Sequence, residues 1–227
     1  MNNLTNSGLA EYLKKLLYIK TVYMWGCFGQ LVTNELVDAK RKQFPKNYSD
    51  KRVAYLRTLV GKGYRGFDCV CSIKSYFWGG YEHPHYNASQ DTTASGMLAR
   101  ATIKGKINTL PEKIGLGVFK PGHIGVYIGN GYVIETTLGS YGDGTVKTRL
   151  QGRGWTDWLQ FPYCVDNSKV EQIKDKISDK IETSKNKVEA PKTLDNSVFI
   201  KPPIFRKPRT ATQTQKLTVS EKRLGKL

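Results

Sequence analysis

Three residues of this sequence have the types that acyl transfer by a thiol requires. Cys69 follows Asp68 in the segment FDCVCSIKSYFWG, His123 opens the apolar run HIGVYIG, and Glu135 closes YVIE twelve residues after the histidine. A cysteine nucleophile needs a lowered thiol pKa, a base within hydrogen-bond reach and a third group that orients the base. A carboxylate beside an imidazole fixes its tautomer and stabilises the imidazolium. Taken singly, a free cysteine is more often a small buried hydrophobe and a strand histidine is usually structural.

The elements that must hold these residues can be read from their neighbours. Val70, Ile73, Phe77 and Trp78 are spaced for a short helix starting at or just after Asp68. Cys69 then sits in its first turn, where unpaired N–H groups and the helix dipole favour a thiolate and can cradle an oxyanion. The β-branched and aromatic runs at 123–128 and 132–135 flank Gly129-Asn130-Gly131, a hairpin signal that puts His123 and Glu135 on neighbouring strands.

Around this centre the chain reads as α+β. Leu9, Leu13, Leu16 and Leu17 predict an amphipathic helix over 7–19 with Ser7 as its cap. Residues 30–60 predict two helices broken near Pro45 and Asn47, the second capped by Ser49 or Asp50. Residues 79–110 are turn-rich, with a short helix near Met97 to Thr102. Strands at 117–119, 144–149 and 158–163 complete a small antiparallel sheet of about five strands beside the N-terminal helices. Residues 1–165 therefore form one domain with a two-helix insertion at about 30–60; residues 166–227, rich in Lys, Glu, Ser, Thr and Pro, read as a basic helix and a disordered tail.

Composition narrows the function classes. The formal net charge of +17, with 36 Lys and Arg spread along the chain, favours a polyanionic partner. Nucleic acid is disfavoured because no basic-aromatic stacking motif or recognition-helix pattern accompanies the charge; an anionic polymer of a bacterial wall fits the same charge. Four cysteines are too few and too irregularly spaced for a disulfide framework. The start, MNNLTNSGLAEYLKKLLYI, carries no apolar run long enough for a signal peptide or a membrane span.

The pieces Tyr23-Met24-Trp25-Gly26, Asp68-Cys69, His123-Ile124-Gly125-Val126-Tyr127-Ile128-Gly129-Asn130-Gly131 and Val133-Ile134-Glu135 occur in an order that resembles the NlpC-type, papain-like cell-wall cysteine endopeptidases over roughly residues 7–163. The resemblance implies Cys69 as nucleophile, His123 as base and then acid, and Glu135 as third member. It also implies Tyr23 near the oxyanion, Asp68 as a capping and shaping residue, and Trp25 beside the substrate. The implied substrate is peptidoglycan, with neither metal nor cofactor; taken with the lack of a signal peptide at this start, the expectation is a phage-type lytic protein made in the cytoplasm and acting at the wall after lysis or virion delivery. The chain departs from the family pattern in three places: Glu135 stands where His, Asn or Gln is usual, Val70 and Cys71 stand where Ser and Gly are usual, and about forty residues separate Gly26 from Cys69.

Other readings compete. Cys69-x-Cys71 with His83-x-His85 could close a zinc tetrahedron, although Val70, Ile73 and Phe77 argue for a packing helix instead. A C-x-C thiol exchanger lacks its βαβ context. Trp155 and Trp158 could line a glycan groove, but fit core or groove wall better. A catalytically inactive wall-binding relative is opposed by the presence of cysteine, histidine and acid together.

Overall fold

The computed structural model describes residues 4–166; the helix and tail expected after Val165 fall almost wholly outside the described residues. The chain opens with α1 (Asn6–Leu16), capped by Thr5, whose side chain accepts the Gly8 N–H, and not by Ser7. Leu9, Leu13 and Leu16 are at most 1% exposed, and burying each contributes roughly 1.5–3 kcal/mol. They pack with Ile73 and Phe77 of α4 (Cys71–Phe77) in the main core. The Tyr12 hydroxyl pairs with Ser75 Oγ at 2.7 Å and ties the two helices together.

Behind this helical layer lies a sheet of six strands, all antiparallel, rather than about five. Its order is β4 (Lys104–Lys106), β9 (Asp157–Leu159), β5 (Gly117–Lys120), β6 (His123–Tyr127), β7 (Tyr132–Gly139) and β8 (Gly142–Arg149). The expected hairpin joins β6 to β7 through Gly129, Asn130 and Gly131, all at positive φ, a conformation that glycine and asparagine tolerate. One face of this sheet gives Ile124, Val126, Ile134 and Leu159 to the main core, and the other buries Val118, Tyr127, Val133 and Trp155. α5 (Ala94–Arg100) starts earlier than expected because Thr93 caps it.

A second sheet was not anticipated. It has three strands, β1 (Thr21–Tyr23), β3 (Arg65–Phe67) and β2 (Phe28–Leu31), with β1 and β3 parallel. Between β2 and β3 run the two expected helices, α2 (Asn34–Gln43) and α3 (Asp50–Arg57), capped by Thr33 and Ser49. These helices form their own small core with the sheet, from Val22, Met24, Val37, Tyr48, Val53 and Leu56. Among the described residues no helix is long and apolar enough to cross a membrane.

Candidate active site

Cys69 lies in the turn between β3 and α4, at 5% exposure. Asp68 builds that turn: its Oδ1 accepts the N–H groups of Val70 and Cys71 at 3.1 and 2.7 Å, and its backbone carbonyl accepts Ser72 N–H at 3.0 Å. Its Oδ2 accepts Gly26 N–H at 2.8 Å and so pins the 24–27 loop beside the cysteine. Gly26 has φ +73, and a Cβ there would lie 2.4 Å from the Phe44 ring, so this close approach requires glycine.

The first-turn N–H groups expected to favour a thiolate are thus largely taken by Asp68. Burial, followed by the charge of Asp68, pushes the Cys69 thiol up to about 12, against the lowering pull of Ile124 N–H, Val70 N–H and the Tyr23 hydroxyl. Burial and the neighbouring carboxylate thus outweigh the first-turn N–H groups expected to favour a thiolate. A protonated thiol of this kind becomes a nucleophile only when a base removes its proton.

The base candidate is one residue away from a group that touches the thiol. Ile124, whose N–H faces Cys69, follows His123 at the start of β6. The His123 ring is bonded through Nε2 to Glu135 Oε2 at 2.5 Å. The hairpin pairs Val126 with Ile134 and Tyr127 with Val133, so continuing that register places Glu135 on the diagonal from His123, within reach on one face. Trp155 stacks on the imidazole, with ring centres 5.5 Å apart and planes 13° from parallel. Nε2 carries the ring's hydrogen bond among the described residues, which leaves Nδ1 to accept a proton.

Glu135 has a fully buried side chain and more partners than the sequence suggested. Thr148 Oγ1 donates to Oε1 at 2.6 Å, and Arg153 donates Nε–H to Oε1 and an Nη2 hydrogen to Oε2, both at 2.7 Å. Burial pushes the carboxyl up, but the hydrogen bonds from His123, Arg153 and Thr148 outweigh it and bring it down to about 2. Arg153 stands alone between two glycines in QGRGW, and nothing in its spacing marks it. Thr148 is one of many alternating strand residues.

Tyr23 is held through its backbone. Its N–H donates to Asp143 Oδ1 at 3.0 Å, and its carbonyl accepts from Arg52, whose guanidinium forks onto Asp143 at 2.5 and 2.8 Å. Arg52 belongs to α3, so the insertion between Gly26 and Cys69 braces the residue whose hydroxyl meets the thiol. Tyr48 of the same insertion donates its hydroxyl to the Trp25 carbonyl at 2.8 Å. Arg52→Ala leaves Asp143 partly buried without its partner and is expected to cost about 2–3 kcal/mol of stability in urea unfolding. An unfolding midpoint equal to wild type would show that the clamp does not hold Tyr23.

Two cavities meet here. The larger, of about 520 Å³, is lined by Cys69, Asp68, Cys71, Lys74, Phe44 and Trp78 among others. The smaller, of about 290 Å³, is lined by Tyr23, His123, Arg52, Tyr48 and Leu138 among others. Trp25 lines both.

The structure therefore brings Cys69, Tyr23 and the backbone next to His123 together, joins His123 to Glu135, and places Asp68 and Trp25 around them. All four cysteines are free and buried. Among the described residues no group of three or more His, Cys, Asp and Glu side chains is placed to hold a metal ion, so Cys69, Cys71, His83 and His85 are not gathered into a zinc tetrahedron. Trp158 donates its indole N–H to Thr109 at the β4–β9 edge, whereas Trp155 is buried against His123.

No protein-family model matches the chain, and no curated protein matches it. Among solved structures the chain is similar to the peptidoglycan hydrolase RipB from Mycobacterium tuberculosis, at 17% identity and a TM-score of 0.39 over 70% of this chain and 67% of that one. It is also similar to the P60 domain of an antigen from M. avium subspecies paratuberculosis, at 18% identity and a TM-score of 0.38 over 70% of this chain and 98% of that one.

Proposed function

We propose that this protein is a cysteine peptidase that hydrolyses amide bonds in the stem peptides or cross-links of bacterial peptidoglycan. The observation that supports the reading is the Cys69 thiol against the Tyr23 hydroxyl and the N–H of Ile124, the residue after His123, whose Nε2 is held by a buried carboxylate. In this reading Cys69 Sγ attacks the amide carbonyl carbon while its proton passes to His123 Nδ1. The Tyr23 hydroxyl and Ile124 N–H, both aimed at the thiol, are donors for the oxyanion that forms there.

Collapse of the tetrahedral species breaks the C–N bond, and His123 returns its proton to the departing amine. Water, deprotonated by His123, then attacks the thioester, which releases the acid and regenerates the thiol. The two cavities, both lined by Trp25, give room for the peptide around the scissile bond. The net charge of +17 suits a substrate embedded in anionic wall polymers.

The test is incubation of the full chain with purified peptidoglycan of several cross-link chemistries, with and without a chelator, reading new amino groups and product masses. Chelator-insensitive release of new amino groups is the expected result, and the product masses name the bond. No release from any wall type would overturn the reading.

A further inference from the structure

Glu135 brings a buried carboxylate 2.5 Å from Nε2 of His123, and a buried charge is costly unless a counter-charge and hydrogen bonds meet it. The structure supplies a counter-charge: Arg153 reaches both oxygens of Glu135 through Nε and Nη2 at 2.7 Å, with its own side chain 11% exposed. A planar fork on a carboxylate fixes the carboxylate plane as well as neutralising it.

The arginine is itself held from three directions. Its guanidinium lies over the Tyr141 ring with its central carbon 3.9 Å from the ring centre, Nη2 also donates to Thr137 Oγ1 at 3.2 Å, and its carbonyl accepts from Lys120 Nζ at 2.9 Å. The other charged and titratable groups packed around His123 have different places. Lys120 faces it across the β5–β6 register and lies over Trp155. Arg52, already paired with Asp143, lines the smaller cavity with His123 and Tyr23, and Cys69 meets the neighbouring N–H. None of these meets the carboxylate as Arg153 does.

We propose that Arg153 is a positioning residue of this site: it offsets the charge of Glu135 and fixes the carboxylate plane, so that the carboxylate orients His123 through Nε2 as part of a neutralised pair. This rests on the reading of Cys69 and His123 as nucleophile and base. It adds that the charge facing the base is set by a pair joining β7 to the loop between β8 and β9.

The experiment is NMR titration of the imidazole signals in the full chain, where the presence of just three histidines allows His123 to be assigned by a His123→Gln variant. Arg153→Gln is expected to raise the His123 midpoint by about one pH unit, about tenfold in proton affinity, and Glu135→Gln to lower it. The double variant, which removes both charges, is expected to return the midpoint to near wild type. Arg153→Lys keeps the charge without the fork, and is expected to keep the midpoint while slowing peptidoglycan hydrolysis.

An unmoved midpoint in Arg153→Gln, or a double variant that stays with Glu135→Gln, would overturn the proposal. Where Arg153→Gln alone does not fold, the comparison of Glu135→Gln with the double variant decides. The titration needs no substrate, so its failure is distinguishable from a failure to cut peptidoglycan.

Discussion

Cys69→Ala is expected to reduce release of new amino groups from peptidoglycan on the order of 10⁴-fold or more, to the level of a blank, because it removes the atom that forms the thioester. Cys71→Ala is the informative companion. Both thiols are 5% exposed, both line the larger cavity, and burial pushes both up. They differ in their company. Asp68 acts on both, but Cys69 also has the Tyr23 hydroxyl and Ile124 N–H against it, whereas Cys71 has Lys74.

Cys71 should therefore behave as a packing residue, with a cost of about 1 kcal/mol in stability and activity within about tenfold of wild type. The check is the amino-group assay on both variants at matched folded fraction. An active Cys69→Ala, or a Cys71→Ala as dead as Cys69→Ala, would remove the assignment of the nucleophile.

How much of this site could be read from the chain depends on whether a residue acts through its local sequence or across the fold. The link between His123 and Glu135 was legible because both lie on one hairpin whose turn is written in Gly129-Asn130-Gly131. The insertion helices were legible from Pro45 and from the Ser49 cap.

The clamp of Arg52 on Tyr23 and Asp143 was not, because those residues stand 29 and 91 positions away from the arginine. Strands β1, β2 and β3 have three or four residues each, too short to display an alternation. The raised Cys69 thiol was missed for a different reason: the sequence places it at a helix start, but burial, and the carboxylate of Asp68 taking the first-turn N–H groups, are tertiary facts.

Glu135 carries the other large expectation, because it serves stability and orientation at once. Glu135→Ala leaves the Arg153 guanidinium and the Thr148 hydroxyl without their acceptor inside the protein, and is expected to cost about 3–5 kcal/mol. It also releases the His123 ring, with an expected loss of about 10²–10⁴-fold in kcat. The sign of the pH effect follows from the direction of the shift. The folded carboxyl sits at about 2, below its ordinary 4.5, so the folded state binds its proton more weakly than the unfolded chain does.

Its stabilisation is therefore present above about pH 4.5 and is lost as pH falls towards about 2. The size, from the interval between those two values, is about 3 kcal/mol. Urea unfolding at closely spaced pH values between 5 and 2 should show wild type losing stability through this window. Glu135→Gln, which keeps the shape of the side chain and has no proton to gain, should lose about 3 kcal/mol less. Equal slopes in the two proteins would mean that Glu135 is not held as a charged acceptor between Arg153, Thr148 and His123, and the orienting role would fall with it.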